Sequence, residues 1–324
     1  MDFDLTEDQK EIKRVAHALL QTRSPFAAVR TAAESGSYDE KLRLELIALG
    51  WPGIAVDEAH GGQGLGAVEL AVLAEELGYA CAATPLVPTA AAALAIQAAG
   101  SAKQQQRWLP GLASGELAGA IGTRELAADA AGADVAVLTD GDDATLHAAP
   151  RTSPFNAIDP TRRYAVLDAD GEGEPLGAGA ADRIRLVLAA EVLGLCQRAL
   201  EMTLEYVKDR KQFGVPVGSF QAVSAPLRAD ALAHRRARDR RSTTPRGRRT
   251  PIPTGCRRLQ RSPRRPRPRA DARSPRARSR PTERSASPGR PMSTGSTSAP
   301  SSTSSCSAGP AGTAPRSRGW PPAR

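Results

Sequence analysis

The chain has 324 residues, with 44 Lys and Arg against 35 Asp and Glu and a formal net charge of +9. That average hides a division, because residues 1–223 hold 19 basic and 31 acidic residues, whereas residues 224–324 hold 25 Arg, no Lys and four acids. Every Val, Phe and Tyr lies at or before Val223, and 16 of the 26 prolines lie after it. Residues 224–324 therefore lack the apolar surface that would offset their ordering entropy, and a disordered tail is expected there.

Several classes are set aside by the same reading. Met1 to Gln9 is acidic and has no apolar stretch, so no secretory signal is expected. The uncharged run Leu77 to Ala102 is interrupted by Pro85 and Pro88 and is mostly small residues, which argues against a membrane span. Cys81, Cys196, Cys256 and Cys306 are scattered without a CxxC pair, which fits a reducing cytoplasm and points to neither a zinc site nor a disulfide scaffold. His17, His60, His147 and His234 are isolated and read as surface or turn residues.

Helix signals fill the first 115 residues. Thr6 with Gln9 makes a capping box, and Ile12, Val15, Ala16 and Leu19 follow at the spacing of a one-sided apolar stripe. Further helices are expected over Asp39 to Leu49, Val68 to Leu77, Pro88 to Ala99 and Ala102 to Leu109, with a Gly-rich loop from Trp51 to Gly66. In that loop Gly62-Gln-Gly-Leu-Gly66 follows no strand, so it reads as a turn needing positive φ rather than as a dinucleotide loop. Residues 116–181 change character. Ala118 to Gly122, Val135 to Leu138, Ala144 to His147 and Tyr164 to Leu167 are short runs between turn residues such as Asp140-Gly141, the pattern of a small β-domain. From Asp182 the helical period returns, with Leu188, Val192, Leu195, Ala199 and Met202 at spacings of three and four, as in a bundle core.

Gly194-Leu-Cys-Gln-Arg-Ala-Leu-Glu-Met-Thr-Leu-Glu-Tyr206, then Arg210-Lys-Gln-Phe-Gly214, then Val217-Gly-Ser-Phe-Gln-Ala-Val223, resembles the C-terminal bundle of acyl-CoA dehydrogenases. Earlier stretches agree in order: Leu5-Thr-Glu-Asp-Gln9, Gly50-Trp-Pro-Gly-Ile-Ala-Val56, Gly61-Gly-Gln-Gly-Leu65, Ala74-Glu-Glu-Leu-Gly78, Gln106-Arg-Trp-Leu-Pro110 and Ala113-Ser-Gly-Glu116. The resemblance covers residues 1–223. It implies a mainly α fold: a helical domain at 1–115, a trimmed β-barrel at 116–181, the start of a helical bundle at 182–223, and then the tail at 224–324. It also implies FAD as cofactor, an acyl-CoA thioester as substrate and α,β-desaturation as reaction, with assembly into a homo- or hetero-oligomer. Arg210, Gln212 and Phe213 inherit contacts to the pyrophosphate and adenine part of a FAD bound to a neighbouring subunit. An Arg fork suits phosphate, and an aromatic ring covers an apolar cofactor surface.

Two departures from the family bear on function. The Thr-Glu-Pro and Trp-Ile-Thr-Asn segments that hold the flavin ring in the family are missing; Gly122-Thr-Arg-Glu125 runs instead into Ala127-Ala-Asp-Ala-Ala-Gly-Ala133. This trimming resembles partner subunits of heteromeric members. The reaction also needs a carboxylate base. The family's early position for it aligns with Ile184, its late position falls in bundle helices the resemblance does not reach, and Asp182 and Glu191 read as a solvated helix face. Asp159 with Arg162 and Arg163 resembles the family's Asp-x-Thr-Arg turn, or equally a plain salt-bridged turn. The expected consequence is a chain inactive by itself. For the tail, a frameshift in GC-rich coding sequence would give its Arg-Pro-Ser composition. Nucleic acid is expected as a partner only through non-specific charge attraction, since no folded reader motif accompanies the Arg.

Overall fold

The structure is a computed structural model that describes residues 5–168 and 173–241, with side chains described as far as residue 237. The described residues belong to one unit, Met1–Arg265; a second, Pro266–Arg324, lies outside them, as does the expected tail from residue 242 onward. Six helices open the chain: α1 (Glu7–Arg23), α2 (Phe26–Ser35), α3 (Glu40–Ala48), α4 (Ala67–Tyr79), α5 (Leu86–Ala99) and α6 (Ala102–Ser114). The cap at Thr6 is formed, its Oγ1 accepting from Gln9 N at 3.2 Å while the Gln9 side chain accepts from Thr6 N at 3.0 Å. Asp39 caps α3 by accepting from Leu42 N at 3.1 Å.

The stripe on α1 is turned relative to expectation: Ala16 and Leu20 are buried, Ile12 and Leu19 half-buried, and Val15 exposed. The cause is polar. Lys13 Nζ reaches Glu75 at 2.7 Å and Glu76 at 2.6 Å on α4, and His17 Nδ1 lies 2.8 Å from Glu76 Oε2, so α1 turns these side chains toward the body. His17 is therefore not isolated, contrary to expectation. The middle of the uncharged run becomes α5, buried on nearly every side in the core, as a helix apolar all round should be. Among the described residues no helix is long and apolar enough to cross a membrane.

The β-domain is a curled seven-stranded sheet in the order β5-β6-β2-β1-β3-β4-β7. Its strands are β1 (Gly119–Gly122), β2 (Ala127–Ala128), β3 (Val135–Asp140), β4 (Asp143–Ala148), β5 (Thr152–Pro154), β6 (Ala165–Leu167) and β7 (Glu174–Pro175). The expected runs are β1, β3, β4 and β6; β2, β5 and β7 are two- or three-residue pieces that their pairing partners define. Ile121, Val135, Val137 and Leu146 from this sheet join the same core as α4, α5 and the later residues Ala180, Ile184, Val187 and Ala190, so helices and sheet share one apolar centre.

The chain then forms α7 (Ala180–Asp209), a two-residue ladder of β8 (Lys211–Gln212) with β9 (Val215–Pro216), and α8 (Gln221–Arg241). The tail boundary expected at residue 224 moves, because residues 224–241 continue the helix. Ala229, Ala231, Leu232, Ala233, Arg235, Arg236 and Ala237 are strong helix formers, and they carry α8 past Pro226. α7 crosses α4 with no room to spare: a methyl group on Gly194 would overlap the Glu75 carbonyl, and one on Gly78 would overlap the Glu191 carbonyl.

Candidate functional site

Arg210, Gln212 and Phe213 sit on a β-hairpin that projects from the end of α7. Arg210 leaves the helix in an extended conformation, its N–H still donating to Tyr206 O at 2.9 Å while its carbonyl accepts from Val217 N at 2.8 Å. Gln212 pairs with Val215 across the ladder. Between them Phe213 (φ 53) and Gly214 (φ 80) both take left-handed backbone, the signature of a type I′ turn that matches the twist of two paired strands. Glycine accepts that conformation without cost. A phenylalanine does so under strain.

The strained ring points outward. Phe213 is 93% exposed, and Phe220 lies edge-on to it with ring centres 6.3 Å apart. Arg210 and Gln212 are exposed as well, and Arg210 has no carboxylate within ion-pair distance among the described residues. In sequence Arg210 stands between Asp209 and Lys211, with Lys208 one residue further back. A groove of about 420 Å³ opens at the base of the hairpin between α7 and α8, lined by Leu204, Val207 and Leu227 with Lys208 and Arg228. An unpaired guanidinium, an amide and a bare aromatic ring on one projecting turn fit the phosphates and flat ring of a dinucleotide presented from outside this chain.

The flavin-ring side does not fit. After β1, Thr123 N donates to Leu126 O at 3.0 Å and Leu126 N donates back to Thr123 O at 3.3 Å, so the segment closes on itself and leaves no cradle. Glu125 is fully exposed, and its carboxyl is held low by hydrogen bonds from its own backbone N–H and from Thr123. Ile184, which the resemblance aligns with the family's early base position, is buried in the shared core. Asp182 is exposed and pairs with Arg185 at 2.8 Å.

Glu191 corrects the reading of a solvated face. It joins a buried cluster centred on Arg162, whose Nη1 donates to Thr84 O at 2.7 Å and Asp129 Oδ2 at 3.2 Å and whose Nη2 pairs with Glu191. The side chains of Arg162, Asp129 and Glu191 are 10%, 0% and 14% exposed. Asp129 Oδ1 also accepts from Tyr38 Oη at 2.8 Å and Arg163 N at 2.9 Å, while the Arg163 guanidinium lies 4.1 Å from the centre of the Tyr38 ring. Burial pushes the Glu191 carboxyl up by more than Arg162 pulls it down, and the neighbouring Asp129 adds to the rise. Burial opposes the charge on Arg162, yet the Glu191 and Asp129 carboxylates outweigh it and hold the guanidinium charged. Asp159 instead accepts from Thr161 N and Oγ1, at 2.9 and 2.6 Å. Sequence reasoning found Arg162 but missed Asp129, Tyr38 and Thr84, which lie 33 to 124 residues away along the chain and share no local motif with it.

The model of the acyl-CoA dehydrogenase N-terminal domain matches residues 6–116, and that of the acyl-CoA dehydrogenase C-terminal domain matches residues 171–238. The chain belongs to the acyl-CoA dehydrogenase family. Its relatives include the acyl-CoA dehydrogenase IpdE2 of Mycobacterium tuberculosis, 36% identical over 222 residues that make up 67% of this chain and 69% of that protein. The acyl-CoA dehydrogenase FadE28 of the same organism is 28% identical over 270 residues, covering 72% and 74%. Among solved structures, the Tcur3481-Tcur3483 steroid ACAD G363A variant is 29% identical with a TM-score of 0.61, covering 72% of this chain and 75% of that one. The ChsE4-ChsE5 complex from M. tuberculosis shares the fold at 24% identity and a TM-score of 0.63, covering 75% and 78%. The C-terminal family match extends to residue 238, beyond the expected limit at Val223, in keeping with the reach of α8.

Proposed function

We propose that this chain is a partner subunit of a two-component acyl-CoA dehydrogenase and does not desaturate an acyl-CoA by itself. In this reading Arg210 pairs with the pyrophosphate of a FAD held mainly by the other subunit, Gln212 donates beside it, and Phe213 covers the adenine end. The carrying observation is the Phe213 turn, which presents its ring almost wholly to solvent on a hairpin whose Arg has no ion-pair partner among the described residues. FAD, when bound, supplies the hydride acceptor. The proton-abstracting carboxylate comes from the other subunit, since Ile184 cannot accept a proton and Glu191 is committed to Arg162.

The family and the names of its relatives support the substrate class. An acyl-CoA thioester is the substrate, and the steroid ACAD whose name joins two components makes a steroid-derived acyl group the first to test. Cytoplasmic residence follows from the same assignment. The experiment is to purify the chain alone and mixed with candidate acyl-CoA dehydrogenase subunits, then record the flavin spectrum and acyl-CoA-dependent dye reduction. Activity and yellow colour on mixing, lost with Arg210→Ala, are expected; yellow, active protein from this chain alone would refute the reading.

A further inference from the structure

The groove at the base of the hairpin has apolar walls and a cationic rim. On α7 it is lined by Leu204, Val207 and Lys208, and on α8 by Ser224, Leu227, Arg228 and Ala231, spacings of three and four that place each set on one helix face. Pro216, Gly218 and Ser219, on the segment that runs from the ladder into α8, close the third side. That side is pressed against α7, because a methyl group on Gly218 would come within 3.0 Å of the Val207 carbonyl oxygen. Val207 is buried, while Leu204, Leu227 and Ala231 are half-buried and leave apolar surface facing the groove. Each helix adds one cation to the lining, Lys208 from α7 and Arg228 from α8, and both are exposed. Among the described residues no carboxylate lines the groove, and neither cation has one within ion-pair distance.

The charge decides what the groove takes. A wholly apolar ligand would leave both cations unanswered, whereas a molecule with an aliphatic body and one anionic end answers walls and rim together. Ser224, in the first turn of α8, adds a hydroxyl at the end of the groove where the helix dipole favours negative charge. The α8 wall from Ser224 to Ala231 runs about 10 Å at 1.5 Å per residue, which suits a chain of medium length. We infer that this groove binds a free medium-chain fatty acid as its anion, with the carboxylate between Lys208 and Arg228 and the chain against Leu204, Val207, Leu227 and Ala231. The ligand is a free acid rather than a thioester substrate. Its seat at Leu204 lies about 30 Å along α7 from Ile184, far from where a flavin ring and a base would act. Binding there does not depend on the flavin role proposed for the outward face of the hairpin, and its test reads heat rather than colour.

Isothermal titration calorimetry of the full chain with hexanoate, octanoate, decanoate, octanol and acetate tests this. Decanoate is expected to saturate a single site with a dissociation constant below about 1 mM, and each methylene along the series to tighten binding about two- to fourfold. Octanol should bind more weakly than octanoate, and acetate not measurably, because head and chain act together. Lys208→Gln and Arg228→Gln should each weaken octanoate and decanoate about three- to tenfold and leave octanol unchanged. Leu227→Glu should abolish binding of all of them, and an unchanged circular dichroism spectrum checks that each variant keeps its fold. Charge attraction to the Arg residues of 242–324 would instead treat decanoate and acetate alike and ignore Lys208→Gln. Uptake of that kind would overturn the inference, as would the absence of saturation by decanoate. A groove whose Leu227→Glu variant changes only the sedimenting mass, as a contact between two copies would, overturns it too.

Discussion

The two halves of α7 teach opposite lessons from similar sequence. From Ala180 to Gly194 the helix lies against α4 and α5, burying Ile184, Val187, Ala190, Leu193 and Gly194; from Leu195 to Asp209 the buried residue is Val207. Both halves are rich in Leu, Val and Ala. Composition therefore marks surface that is able to pack. The difference is made by what crosses it: glycines at Gly78 and Gly194 admit α4 to the first half, and Arg162 ties that half to the β-domain through Glu191. The second half is tied to α4 where Tyr79 Oη donates to Glu201 Oε2 at 2.5 Å, and it ends in the hairpin.

If that comparison is right, substitutions in the first half are costly. The largest effect is expected from Arg162→Ala, which strands the Asp129 and Glu191 carboxylates in buried surroundings without their shared cation. Removing one partner of a buried ionic cluster typically costs about 3–5 kcal/mol. Chemical denaturation at neutral pH measures it, and a loss under about 1 kcal/mol would mean that the cluster is solvated and the lock illusory. Gly194→Ala comes next. Its methyl group meets the Glu75 carbonyl and lies 2.8 Å from Tyr79 N, both backbone, so the two helices must separate, at roughly 1–3 kcal/mol. Equal stability of Gly194→Ala and the parent in the same assay would show that the crossing is looser than the structure has it.

A smaller, signed effect comes from pH. The Glu191 carboxyl is pushed up by burial above its value in the unfolded chain, so the folded state binds the proton more tightly. Its contribution to stability therefore grows as pH falls from neutrality through the raised value toward the ordinary glutamate range, and is constant below both. Relative to Glu191→Gln, which cannot titrate, the parent should gain melting temperature over that window. A parent that instead loses ground to Glu191→Gln on acidification would mean that Arg162 outweighs burial and the carboxyl is pulled down.

How much of this was legible in the sequence follows from the range of each interaction. The Thr6 and Asp39 caps and the runs that became β1, β3, β4 and β6 depend on neighbours within a few residues, and the sequence carries them openly. Helix α2 was legible but unread: Pro25 precedes its first residue and Gly36 closes it in left-handed backbone. The strands β2, β5 and β7 are too short to leave a pattern and exist through pairing. On α7 the period was clear but the face was not. The expected stripe of Leu188, Val192, Leu195, Ala199 and Met202 is the outer one, because a helix apolar on two sides does not say which side the chain covers. The hairpin residues were found through the family motif; the left-handed turn that aims Phe213 outward appears only in the backbone.

The smallest expected change is the one that links the hairpin to its role. Phe213 holds φ near 53 with its ring in solvent, paying strain without burying apolar surface in return. Phe213→Gly adopts the same turn freely, and on folded-state strain alone it should stabilise the chain by up to about 1 kcal/mol, less whatever the more flexible unfolded glycine takes back. A residue that costs stability where it stands is explained if it is needed for a contact the isolated chain does not make. The same variant, mixed with the subunit that restores activity, should retain flavin less well than the parent. Stability gained with flavin lost identifies the strain as the cost of a contact made in trans. Stability lost on Phe213→Gly would show instead that the edge contact to Phe220 outweighs the strain and that the turn is held for the chain's own sake.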